Sequence, residues 1–176
     1  PGYTLDFSHG HMIWVDACMQ ELLSCNILIE MAKVLNRGEF IDELSRERDN
    51  LEKVINEKLW NEETGFYYDL WKTGKHNMVR HIGAYWALLA GCASKERAEK
   101  LIAHLHDEKE FKTPHRVPTL SKSHPDFAPH GSYWCGSVWT PTNYMVLKGL
   151  DRYGQYELSH EIGLEHLNAV VDVFNR

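Results

Sequence analysis

Three times along the chain, a helical run with almost no polar face is followed by one whose apolar residues fall on a single stripe. That alternation limits the folds open to it. The first run, about His11 to Asn36, packs Met12, Ile13, Trp14, Val15, Met19, Leu22, Leu23, Ile27, Leu28 and Ile29 around every side of the helix, and Gly38 breaks it. Its successor, Phe40 to Lys58, keeps Ile41, Leu44, Leu51, Val54 and Ile55 on one stripe opposite Glu, Arg, Lys and Asp. The second pair runs from Val79 to Gly91 and from Lys95 to His106, with Ser94 as N-cap of the latter. The third runs from Pro141 to Tyr153, with Thr140 as N-cap and Gly154 as left-handed cap, and from Gln155 to Phe174. The last helix carries Leu158, Ile162, Leu167, Val170, Val171 and Phe174 on one face. An element with apolar residues all round must be wrapped in protein, and an amphipathic one faces water on one side. The pattern therefore predicts an all-α chain of three helical hairpins, inner then outer, in a helical barrel or stacked layers. Between the first two pairs, Trp60-Asn61-Glu62-Glu63-Thr64-Gly65-Phe66-Tyr67 predicts a small β-hairpin near residues 60–70.

Residues Asp107 to Ser132 hold four of the six prolines and no helical period. A loop of that length in a compact chain is usually functional. It leads into Tyr133-Trp134-Cys135-Gly136-Ser137-Val138-Trp139-Thr140-Pro141-Thr142-Asn143-Tyr144. Gly136 and Pro141 force Tyr133, Trp134 and Trp139 into the approach to a helix N-terminus. Rings with polar tips at such a place suit a sugar, whose C–H face lies on the aromatic plane while its hydroxyls reach N–H and O–H groups. The same rings also suit a loop anchored in the core, and the motif alone does not choose.

Several function classes are excluded by composition. A net charge of −6 argues against nucleic acid, which needs clustered Lys and Arg. No apolar run reaches the ~20 residues that span a bilayer, so no membrane partner is expected. Cys18, Cys25, Cys92 and Cys135 have no CxxC spacing. Neither a disulfide framework nor a zinc site is predicted, and a reduced, cytoplasmic setting fits. At 176 residues one domain, 1–176, is the expected organisation. The start at Pro1, almost directly into a long apolar helix, reads as a piece of something longer.

The strings at 60–69, Thr113-Pro114-His115-Arg116-Val117-Pro118-Thr119-Leu120-Ser121, and 133–144 together resemble the six-hairpin (α/α)6 glycosidases. The likeness is to glycoside hydrolase family 63, including bacterial mannosylglycerate and glucosylglycerate hydrolases, with trehalases as more distant relatives. It implies that the three hairpins form about half of an (α/α)6 toroid. It also implies that Tyr133, Trp134 and Trp139 line a sugar pocket of an inverting α-glycoside hydrolase that works without cofactor. Where such relatives carry Arg and Pro, this chain has Cys135 and Ser137. The family's acid and base, an Asp in a Ser-Gly-Met-Asp motif and a Glu in a Trp-Glu-x-Tyr motif, have no match here. The resemblance therefore puts the catalytic pair outside the chain and makes the isolated chain inactive.

Other residues are candidates for chemistry. Among the carboxylates, Asp6, Asp16 and Asp126 are the candidates nearest to loops or helix starts, and Asp16 sits among apolar neighbours. His9 and His11 precede the first helix, but no third ligand at suitable spacing joins them, so no metal is predicted. His104 and His106, two apart on a helix, are expected on the solvent side. His115 and Arg116 are either substrate contacts or loop packing. Two alternatives stay open: a non-catalytic helical carbohydrate-binding or assembly module that self-associates through its open inner-helix face, and a sugar-epimerase-type (α/α)6 barrel using His11 and His81.

Overall fold

The computed structural model describes residues 12–175. They divide at Met78/Val79 into two compact units. Among the described residues no helix is long and apolar enough to cross a membrane.

The first unit is built on α1 (Val15–Val34) and α2 (Ile41–Val54), the latter continued by one π turn, Ile55–Leu59. α1 starts four residues later than the apolar run suggests, because Met12–Ile13 (β1) pairs antiparallel with Leu70–Trp71 (β4) instead of coiling. The N-cap residue, Trp14, has no side-chain acceptor to offer. Asp69, 54 residues away, supplies one: its Oδ1 accepts from the Val15 N–H at 2.9 Å. The other end also differs from expectation. Asn36, not Gly38, turns left-handed at φ +53°, and Arg37 N–H donates to Ala32 O at 2.8 Å. The expected hairpin is present, β2 (Trp60–Asn61) against β3 (Phe66–Tyr67), with Gly65 at φ +63° and Asn61 Oδ1 accepting from the Thr64 N–H.

α1 is not wrapped all round. Val15, Met19, Leu22, Cys25, Ile29 and Ala32 are buried at helical spacing, whereas Ile27, Leu28 and Met31 are exposed. α2 lies against one side only, and composition cannot say which sides of an apolar helix find a neighbour.

In the second unit the inner run is shorter than predicted. A 3-10 turn, Ile82–Tyr85, leads into α3 (Trp86–Ala90), closed by Gly91 at φ +72°. Residues before Ile82 stay extended because they pair with the loop: Ile82 N–H donates to Thr119 O and Ser121 N–H to Arg80 O, each at 2.9 Å. α4 (Lys95–Ala103) is capped as expected, Ser94 Oγ accepting from the Arg97 N–H, and buries Ala98, Leu101 and Ile102. α5 (Thr140–Arg152) follows the long loop, then Gly154 at φ +72°, then α6 (Tyr156–Phe174). The N-cap of α5 is Trp139; Thr140 is already helical, and its hydroxyl meets His166 Nε2 at 3.1 Å instead of capping. Gly149 lets α5 press on α3: a Cβ there would lie 2.7 Å from Leu88 Cβ. α6 buries Leu158, Ser159 and Ile162, while Leu167, Val170, Val171 and Phe174 are exposed. The predicted stripe is thus covered over its first two turns only.

Candidate functional site

The aromatic segment 133–139 is carried by the stretch 117–119 and by the first turn of α5. Thr119 N–H donates to Ser137 O at 2.9 Å, and Gly136 N–H donates to Thr119 Oγ1 at 3.1 Å. Val117 N–H donates to Asn143 Oδ1 at 2.6 Å, and Asn143 Nδ2 returns a bond to Val117 O at 3.0 Å. Two turns of backbone are available only through unusual dihedrals. Gly136 adopts φ +122°, where a Cβ would stand 2.8 Å from Ala128 O, and Tyr133 sits left-handed at φ +47°.

On this frame the indoles of Trp134 and Trp139 stack nearly parallel, 4° apart with centroids at 5.2 Å. Tyr133 stands edge-on to both, at 5.9 and 5.3 Å, and its carbonyl accepts from Trp139 Nε1–H at 3.3 Å. Tyr133 is 69% and Trp134 49% exposed, and Trp139 is half-buried beneath them. A stacked pair uses one face of each ring on its partner. Much of Trp134 and most of Tyr133 nevertheless remain open to solvent.

Asp16 is half-buried and turns its Oδ1 to the Ala17 N–H; Asp126 is exposed. Asp6, His9 and His11 lie outside the described residues. His81 caps the 3-10 turn, its Nδ1 accepting from the Gly83 N–H. His115 is exposed, but Arg116 turns inward, pairs with Glu161 and Glu165 on α6, and donates to Leu105 O. It serves packing, not a ligand. His104 is not on the solvent side: its Nδ1 meets Glu110 Oε2 at 2.5 Å, and Glu110 Oε1 accepts from Arg80 Nη1 at 2.6 Å. The reason is that the helix tightens to a 3-10 turn at His104–His106 and the following loop folds Glu110 back under it. Burial pushes the hydroxyl of nearby Tyr85 well above its ordinary pKa, with the Glu110 charge adding to the effect. Among the described residues no group of three or more His, Cys, Asp or Glu could hold a metal ion.

Thr119 and Asn143 were missed by sequence reasoning as parts of the site. Each lies inside a string that the resemblance rests on, yet nothing local marks them, because their partners are 17 to 26 residues away.

Residues 8–172 match the mannosylglycerate hydrolase MGH1-like glycoside hydrolase domain family. The chain belongs to it. An uncharacterized protein of Borreliella burgdorferi is 33% identical over 143 residues, which is 81% of this chain and 30% of that protein. The cytosolic neutral trehalase of Kluyveromyces lactis is 34% identical over 152 residues, covering 84% of this chain and 19% of the trehalase. The crystal structure of the mannosylglycerate hydrolase of Thermus thermophilus in complex with glucose superposes with a TM-score of 0.81 at 26% identity, over 89% of this chain and 39% of that one. The MGH1-like chain thus spans well under half the length of each. Its architecture, helices with small two-stranded sheets among the described residues, is that of the (α/α)6 toroid represented by such structures.

Proposed function

We propose that this MGH1-like chain is one piece, residues 1–176, of an inverting α-glycoside hydrolase and supplies its aromatic sugar platform. The observation that carries the reading is the solvent-facing stack of Trp134 on Trp139, crossed by Tyr133. A pyranose offers an apolar C–H face matched to an indole plane, and the phenol hydroxyl beside it can exchange hydrogen bonds with the sugar's own. The glucose-bound Thermus thermophilus neighbour supports a carbohydrate partner. In the proposed parent reaction, water attacks the anomeric carbon as the glycosidic C–O bond breaks. One carboxyl donates a proton to the leaving oxygen and a second takes one from the water, the two standing about 6.5–9.5 Å apart. Acid–base chemistry suffices, so no cofactor is invoked. Because neither catalytic motif occurs in these 176 residues, the chain alone is proposed to bind sugar without cleaving it. A cytoplasmic setting belongs to the same proposal, supported by four free thiols and the cytosolic trehalase relative.

Titration with glucose, followed by tryptophan fluorescence, is expected to give a saturable change. Trp134→Ala should weaken binding about tenfold, the equivalent of ~1.4 kcal/mol for one aromatic face. A titration identical in the two chains would end the platform reading. Steady release of free sugar from small α-glycosides, abolished by Asp16→Asn, would end the claim that the chain is inactive.

The exposed apolar residues Ile27, Leu28 and Met31 on the inner helix α1 favour a second reading in which the chain also self-associates through that face. Sedimentation is then expected to find dimers or larger species; a monomer across the accessible concentration range contradicts it.

A further inference from the structure

We infer that Thr119 and Asn143 are positioning residues of the aromatic platform: neither meets a ligand, and together they set the plane and separation of the two indoles. The inference rests on the platform reading above. Segment 133–139 contains two left-handed backbone positions, Tyr133 and Gly136. A short segment with such dihedrals does not hold its shape without bonds from outside.

Those bonds come from two side chains. Thr119 and Asn143 are each only 1% exposed, which removes them from any contact with a bound sugar. Thr119 grips the segment at adjacent residues, its hydroxyl taking the Gly136 N–H and its own N–H reaching Ser137 O. Pro118 and Val138 form an antiparallel bridge beside it. Asn143 imitates a neighbouring strand. Its amide oxygen and nitrogen pair with Val117 N–H and Val117 O, and the same nitrogen donates to Trp139 O at 3.1 Å. Trp139 O also accepts from the Asn143 N–H and from Thr142 Oγ1, each at 3.0 Å. The carbonyl of the residue that bears the lower indole is thus held by three donors. Trp139 Nε1–H then ties back to Tyr133 O, closing the segment on itself. Thr119 fixes the middle of the segment and Asn143 its end. The stack geometry is what remains free to vary if either grip is lost.

Thr119→Val tests this, since it keeps the shape and removes only the hydroxyl. The band that the indole pair contributes to near-ultraviolet circular dichroism is defined as what Trp139→Phe removes. That band is expected to collapse in Thr119→Val and return in Thr119→Ser, while the unfolding transition stays cooperative. Glucose affinity should fall about tenfold in the valine chain and recover in the serine chain, a rescue that a purely structural role for the methyl group would not produce. Should the valine chain fail to fold, Thr119→Ala removes the same hydroxyl with less bulk. Glucose binding in the unaltered chain with no loss in Thr119→Val, or a band unchanged in Thr119→Val, overturns the inference. Absence of saturable binding in the unaltered chain instead overturns the platform reading, and the indole band alone then decides whether Thr119 positions the pair.

Discussion

Converting Glu161 and Glu165 together to glutamine is expected to destabilise the chain by about 3 kcal/mol, lowering its thermal midpoint by roughly 10 °C. The size follows from where the charges sit. Arg116 is 1% exposed, and its Nε and Nη2 form a two-pronged contact with Glu165 at 2.7 and 2.9 Å, while Nη2 also pairs with Glu161. Its Nη1 donates to Leu105 O. Removing both carboxylates leaves a buried guanidinium with no counter-charge, which costs about 3–5 kcal/mol. The lower end applies, because the two amides still offer oxygen acceptors. Arg116→Met should cost much less, since it also abolishes the burial of a charge and leaves two half-exposed carboxylates that water can reach. That inequality distinguishes a counter-charge effect from plain loss of contacts. Acid performs the same experiment. Hydrogen bonding to Arg116, then its charge, holds the Glu161 carboxyl below its ordinary value of 4.5. The folded form therefore binds that proton less readily than the unfolded chain. The stability this contributes is complete above the ordinary glutamate range and is lost as pH falls through the lowered folded value. Denaturation midpoints measured from pH 6 downward should decline less steeply in the double glutamine chain; parallel curves would refute the assignment.

Gly136→Ala is expected to cost about 3 kcal/mol and to abolish the indole stack. At φ +122° an L-residue carries strain of roughly 1–3 kcal/mol. In addition the new methyl would stand 2.8 Å from Ala128 O and 2.9 Å from Phe127 Cε2. The first of these is backbone, itself tied by the Ala128 N–H to Cys135 O, so it cannot swing aside. Gly154→Ala provides the control, with a positive φ but open space around the added carbon; about 1 kcal/mol is expected there. Denaturant midpoints and the near-ultraviolet signal report both quantities. Equal costs at the two glycines would show that crowding at Gly136 contributes nothing.

How much of this was legible beforehand depended on how far along the chain each cause lies. Ser94 as a cap, Gly154 as a left-handed stop, Pro141 in a first turn and the hairpin near residues 60–70 are written in neighbouring residues. That the aromatic segment is not helical is legible because Gly136 and Pro141 exclude a helix through it, whereas the exposure of its rings is not, since the same motif suits a core anchor. Thr140 was misread because a threonine before a proline looks like a cap, whereas its hydroxyl has a competing partner, His166, 26 residues on. His104 was misread because its carboxylate partner, Glu110, sits in a loop of no regular period.

The order of types of residue determined that this chain is helical, that Gly154 closes α5, and which rings stand before α5, because each of those outcomes is settled within one or two turns of backbone. Only tertiary structure decided that Asp69 caps α1, that Arg116 is clamped by α6, that Asn143 and Thr119 hold the indoles, and which side of each apolar helix is covered. Those pairings join residues 17 to 54 positions apart. Hydrogen bonds of that kind form only once loop closure has been overcome by the packing of everything else.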